Sequence, residues 1–310
     1  MRDAYCQTLM ELAEKNDQIV VLDADLMNSM GMVPFQQKYP RRMFNCGIQE
    51  ANMIGVAAGL SATGKVPFAH TFGVFASRRC FDQTFISAAF ARLNVRIIGS
   101  DPGVTAAFNG GTHMPFEDMG IMRNIPNITI IEPTDSTMII DLVKQLATAY
   151  GVYYIRLVRR NAIKVYEEGS TFEIGKAIQI REGSDVSIFA TGLCVAESIE
   201  AAKILAGKGI SARVLNMFTL KPIDKQAIMA CAEETGAIVT AENHNIINGL
   251  GSAVAEVLSE NIPTPLERVG VQDSFGEVGP VNFLKEKFAL TAKDIADKAE
   301  KAIARKKKIS

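Results

Sequence analysis

A carboxylate at the head of an apolar helix is the first group here whose setting suggests chemistry. Gly47-Ile48-Gln49-Glu50 follows a strand-like run, Met43–Cys46, and opens onto Ala51-Asn52-Met53-Ile54-Gly55-Val56-Ala57-Ala58-Gly59-Leu60. An acid in a first helical turn has a structural use, because its charge suits the positive end of the helix dipole. It also has a chemical one. Burial disfavours the charged form, and a carboxyl that stays protonated can donate to a ring nitrogen. Phe72 and Phe75 flank Gly73-Val74 after a strand ending near Thr71. They read either as core or as a stacking wall at the carboxyl end of a parallel strand, where open α/β sheets bind ligands.

The stretch Asp101–His113 (DPGVTAAFNGGTH) gathers Asp101, Asn109 and His113 around three glycines, again after a buried strand. The chain has 3 histidines, and His70 and His113 both read as lying in such loops, which favours a close-approach role over a core one. Arg159-Arg160 end a further strand, and Arg2 and Ser29 stand near other element ends. Each alone reads as a surface residue, although arginine forks suit anionic substrates. Glu242-Asn243-His244-Asn245, followed by Gly249-Leu250-Gly251, could cradle an anion at a helix start but is read as structural.

These residues need a scaffold that brings strand ends together. Short β-branched runs (Ile19–Leu22, Val66–Ala69, Val95–Ile98, Ile128–Ile131, Tyr153–Ile155) alternate with helical patterns at about 50–63, 75–91, 116–124 and 135–149. Asp135, after Pro133-Thr134, is a good helix start. Near-continuous apolar strands alternating with helices imply a mostly parallel sheet covered on both faces. A polar, glycine-punctuated stretch from about 160 to 182 reads as a linker. Strands at Val186–Ala190, Ala212–Leu215 and Ala237–Thr240 then alternate with helices near 195–207, 224–234 and 249–259. The expectation is an α/β fold of two three-layer domains with mostly parallel sheets: 1–165, a linker at 166–182, and 183–310. The basic end, Arg305-Lys306-Lys307-Lys308, reads as a solvated helix terminus.

Composition narrows the class without naming a function. With 310 residues, 48% hydrophobic and 22% charged, the chain can bury two ordinary cores. Its 33 basic and 34 acidic residues leave a net charge of −1, which argues against a nucleic-acid surface. No apolar run is long enough to span a bilayer, and acids occupy the N-terminal stretch where a signal peptide would be apolar. The 5 cysteines are scattered and form no CxxC, so neither a disulfide framework nor a zinc site is signalled, and a cytoplasmic setting fits.

Several motifs together resemble the C-terminal half of transketolase: Glu50 in GIQE, HTFGVF at His70–Phe75, GGTHMPFED, IPNITIIEPTD, TLKPID and AENHNIINGLGSAVAEVL. The likeness runs in order over nearly the whole chain. Transketolases have a diphosphate-binding, a pyrimidine-binding and a C-terminal domain, and this chain is similar to the last two. The GDG…N motif that binds magnesium and the thiamine diphosphate phosphates is expected on the first domain, and no GDG occurs here. The resemblance therefore implies the C-terminal subunit of a split transketolase, inert alone. An N-terminal subunit would supply the diphosphate site and the Mg2+ ligands, in an α2β2 heterotetramer.

Residue by residue, the resemblance implies that Glu50 hydrogen-bonds the pyrimidine ring nitrogen of thiamine diphosphate, favouring the imino tautomer that deprotonates the thiazolium carbon. Phe72 and Phe75 would wall the pyrimidine, and Asp25 in DADL would lie near the thiazolium. His113 would meet substrate hydroxyls, for hydrogen bonding or proton transfer. Ser29, Arg159 and Arg2 would hold the sugar phosphate, with His70 beside the substrate. The reaction would move a two-carbon ketol unit from a ketose to an aldose. Two positions depart from the family pattern: Asp101 stands where a histidine usually faces the substrate phosphate, and Asn109 where an aspartate reads a hydroxyl. A carboxylate beside a phosphate dianion is repulsive unless protonated or paired, so a modified ketose, unphosphorylated, sulfonated or otherwise changed, becomes a candidate. Rival readings are the beta subunit of a 2-oxoacid dehydrogenase, favoured less by GGTHMPFED and TLKPID, and a non-catalytic regulatory subunit. Deoxyxylulose-phosphate synthase is similar but carries all three domains on one chain.

Overall fold

The computed structural model describes residues 1–160 and 162–308. Its strands are β1 (Ile19–Asp23), β2 (Met43–Asn45), β3 (Val66–Phe72), β4 (Val95–Ser100), β5 (Thr129–Ile131) and β6 (Val152–Leu157). After these come β7 (Ile178–Arg181), β8 (Val186–Ala190), β9 (Ala212–Asn216), β10 (Thr219–Lys221), β11 (Ile238–Asn245) and β12 (Leu266–Val271). The first sheet runs β10-β5-β6-β4-β3-β1-β2 and the second β12-β11-β8-β9-β7. Every pairing is parallel except the edge pairs β10–β5 and β7–β9. This is the expected two-domain α/β plan. β1, β4, β6 and β8 are buried along their whole length, as strands must be when helices cover both sheet faces. No helix among the described residues is long and apolar enough to cross a membrane.

Asp135 does open a helix, Ser136–Leu146, and its Oδ1 accepts the Met138 amide at 2.9 Å. Its Oδ2 accepts the Val165 and Tyr166 amides at 2.7 and 2.8 Å, so one carboxylate caps the helix and fastens the segment leaving the first domain.

Three expectations are corrected. The stretch 166–182 is not a free linker: it ends in β7, and Phe172 packs into the first domain's core. Strand β10, from the second half of the chain, closes the first sheet's edge, so the sheets do not divide the chain cleanly. The helix at 75–91 is a wide, π-type turn at Phe75–Arg79, a short α turn and a second π-type stretch at Thr84–Phe90; such widened turns recur at functional sites. The basic terminus ends the last helix as expected, with Arg305, Lys307 and Lys308 exposed; Arg305 also pairs with Glu267 at 2.8 Å and Lys306 donates to the Thr235 carbonyl at 2.7 Å. Both side chains fasten the last helix to the second domain.

The two halves meet over a buried polar joint. Arg156, on β6, is wholly buried. It donates to both Asp118 carboxylate oxygens (2.8 and 3.0 Å), to Glu132 at 2.7 Å, and to the Pro115 and Asn243 carbonyls at 3.2 and 3.1 Å. Tyr154 adds a bond to Asp118 at 2.7 Å. Removing only the cation would strand two buried carboxylates. Arg156→Met should therefore cost about 3–5 kcal/mol, seen as a lower urea midpoint at pH 7; an unchanged midpoint would show that the joint carries no stability.

Candidate active site

Parallel strands aim their carboxyl ends the same way, and the sequence-predicted residues collect there. Asp25 follows β1, Glu50 follows β2, Phe72 ends β3, Asp101 follows β4 and Arg159 follows β6. In the order β6-β4-β3-β1-β2 these ends adjoin one another, which is where open α/β sheets place ligands.

Side chains there form a continuous trail. Glu50, the first residue of the helix Glu50–Ala62, is 1% exposed. Its Oε2 accepts Arg79 Nη1 at 2.7 Å and its Oε1 accepts the Thr71 hydroxyl at 3.3 Å. The Arg79 guanidinium lies 3.9 Å from the Phe75 ring centroid. His113 sits edge-on to both rings, 5.3 Å from Phe75 and 5.6 Å from Phe72, and Thr112 bonds its Nδ1 at 2.9 Å. The trail continues through Phe72, whose ring lies 5.0 Å from the Arg159 guanidinium. Arg159 ends in a two-point pair with Asp101, at 2.7 and 2.6 Å. One end thus offers a buried carboxylate with an aromatic wall, and the other a guanidinium paired with its own carboxylate.

Arg2 and Ser29 belong to the cationic end, joined by Arg2 Nη1 to the Ser29 carbonyl at 3.0 Å. Burial pushes the Asp101 carboxyl up from its ordinary range, while Arg159 first, then the charges of Arg160 and Arg2, pull it back. Asp25 is exposed beyond β1, its Oδ1 accepting from Asn45 at 3.2 Å. Asn109 is exposed in its loop.

His70 needs a correction. It lies inside β3 rather than in a glycine-flanked loop, and its ring is fully enclosed. The Tyr5 hydroxyl and its Nε2 are hydrogen-bonded at 2.5 Å, and burial pushes the ring down to about 3, so it is neutral. No open surface of the groove is within its reach.

Arg79 and Thr71 went unnoticed in the sequence. Phe75 and Arg79 stand four apart, a spacing that stacks side chains along a helical turn, and that was the available signal. The Glu242 motif is structural: its carboxylate accepts the Leu250 and Gly251 amides at 2.6 and 2.8 Å, filling its own helix terminus.

The residues fit the groups the resemblance implies. A carboxylate beside a pair of phenylalanine rings suits an aminopyrimidine, and guanidinium forks suit an anion. Comparison with known proteins agrees. The pyrimidine-binding domain of transketolase matches residues 1–164, and its C-terminal domain matches 175–295. The chain belongs to the transketolase family, as a subunit of the split kind. It is 54% identical over 306 residues to a 6-deoxy-6-sulfo-D-fructose transketolase subunit of Clostridium sp. (strain MSTE9), covering 99% of this chain and 95% of that one. It is 42% identical to a putative transketolase C-terminal section of Methanocaldococcus jannaschii, covering 96% and 94%. A solved split-gene transketolase, described as an inactive beta4 tetramer, superimposes with a TM-score of 0.92 at 45% identity over 98% of both chains. These likenesses favour transketolase over the 2-oxoacid dehydrogenase and regulatory readings.

Neutral His70 gives a pH test. The unfolded ring protonates near 6.5 and the folded one near 3, so its stabilising contribution is complete above 6.5 and is lost as pH falls toward 3. Between pH 6.5 and 5 wild type should lose about 2 kcal/mol more than His70→Asn in urea melts; equal losses would contradict a buried neutral ring.

Proposed function

We propose that this chain supplies the pyrimidine-binding half of a shared thiamine diphosphate site and works as an α2β2 heterotetramer with an N-terminal subunit. That partner would hold the diphosphate and Mg2+. The carrying observation is Glu50, buried at a helix start beside the Phe75 face. Five free cysteines accord with a cytoplasmic setting.

When bound, the cofactor supplies the carbon nucleophile that carries a two-carbon ketol unit. Glu50 holds a proton at the pyrimidine ring nitrogen, a role for which Arg79 has to yield its place on the carboxylate. Phe72 and Phe75 wall the ring and exclude water. Asp25 lies toward the thiazolium side. His113, held by Thr112, faces substrate hydroxyls and is placed to move a proton. Asn109 stands where a neutral amide would meet a further hydroxyl.

Arg2, Ser29 and Arg159 would receive the anionic end of the ketose. Asp101 already cancels one of those cations. With that cation neutralised by its own partner, a second negative charge on the substrate finds less compensation beside Asp101. A singly charged sulfonate, as in the name of the Clostridium relative, suits this pocket better than a phosphate dianion.

With the partner present, Glu50→Gln should cut ketol transfer by roughly 10²-fold or more while assembly by gel filtration is preserved; full activity would refute the assignment. For the pocket, kcat/KM on 6-deoxy-6-sulfofructose should exceed that on fructose 6-phosphate or xylulose 5-phosphate by about tenfold or more. Asp101→Asn should narrow the gap by removing the repulsion. Equal or better wild-type use of the phosphates would sink the proposal.

A further inference from the structure

We infer that Asn243, in the second domain, is a positioning residue for the substrate loop of the first. The inference rests on the reading just given, in which Asp101, Asn109 and His113 face the ketose. Asn243 lies near the end of β11 and is wholly buried. Its side-chain Oδ1 accepts the Val104 amide at 2.9 Å, and its Nδ2 donates to the Pro102 carbonyl at 2.9 Å. The same residue's carbonyl accepts Arg156 Nη2 at 3.1 Å. One short amide therefore satisfies a donor and an acceptor of the loop at once. An aspartate would set a second acceptor against Pro102, and an alanine would leave two buried backbone groups unpaired.

The loop is shaped to receive that amide. Gly103, between the two bonded residues, has φ +51°, and a Cβ there would lie 2.1 Å from Asn243 Oδ1. Gly103 also donates to the Pro115 carbonyl at 3.2 Å, an oxygen shared with Arg156 Nη2. Asn245 donates to the Phe116 carbonyl at 2.8 Å. Both feet of the loop are thus tied to one segment, Asn243–Asn245. Asp101 sits one residue before the first foot, Pro102, and His113 three residues before the second, Phe116. The second domain touches no substrate in this scheme; it fixes where those side chains point.

The test compares Asn243→Ala with wild type in two arms. In the isolated chain, deuterium uptake should rise in the peptide covering 101–115 and stay unchanged across the helix Glu50–Ala62. In the complex with the partner subunit, the ketose KM should rise about tenfold or more, because a misplacement of about 1 Å has effects of that order. Thiamine diphosphate affinity by calorimetry should stay within about twofold, since the Glu50 end has other supports. Gly103→Ala, attacking the same contact from the loop side, should reproduce this pattern if Asn243→Ala folds poorly. Unchanged uptake, an unchanged KM, or parallel losses of cofactor and ketose affinity would each overturn the inference. A wild-type complex without ketol transfer would instead overturn the function, and the exchange arm would still decide the placement of the loop.

Discussion

Burying a guanidinium is costly unless its nitrogens find partners, and all three nitrogens of Arg156 bond to groups from several segments. Asp118 and Glu132 come from the first domain, the Pro115 carbonyl from just beyond the Asp101–His113 loop, and the Asn243 carbonyl from β11. Misplacing any of them would leave charge unpaired in the interior. That requirement fixes how the halves of the chain sit together, and with them the loop between Asp101 and His113. Three residues along the same strand's exit lies Arg159, so the joint and the Arg159–Asp101 pair are governed by one stretch of backbone.

The pocket itself is built on opposed charges. Asp101 and Arg159 form a two-point pair in a partly desolvated setting, which orients the guanidinium while lowering the net positive charge offered to a substrate. At the other end, Arg79 plays a comparable part for Glu50. In each case a group with a proposed ligand role is held in place by a partner from the same chain. The Asp101–Arg159 end is therefore ordered as it stands, whereas Arg79 has to leave Glu50 before that carboxyl can meet a ligand.

Much of this was legible in the sequence. GIQE, HTFGVF and GGTHMPFED mark the exits of parallel strands, where chain direction forces side chains to converge, so Glu50, Phe72, Phe75 and His113 could be named from local pattern. Asp101 and Arg159 were also named, but their pairing was not, because a contact between residues far apart in sequence leaves no local signature. His70 was misplaced for a different reason: in a strand buried on both faces, polar residues do not alternate with apolar ones, so a buried histidine beside Thr71 and Gly73 looks like a loop. β7 and β10 escaped notice because short antiparallel edge strands owe their existence to the strands they pair with. Asn243 was visible only as part of a polar turn; its use depends on Pro102 and Val104 in the other domain.

The central claim is that half of a cofactor site resides here and half elsewhere. Calorimetric titration of thiamine diphosphate with Mg2+ into this chain, into the N-terminal subunit, and into their mixture tests it directly. The account predicts tight binding in the mixture and none of comparable strength by this chain alone. Equally tight binding by the isolated chain would contradict it.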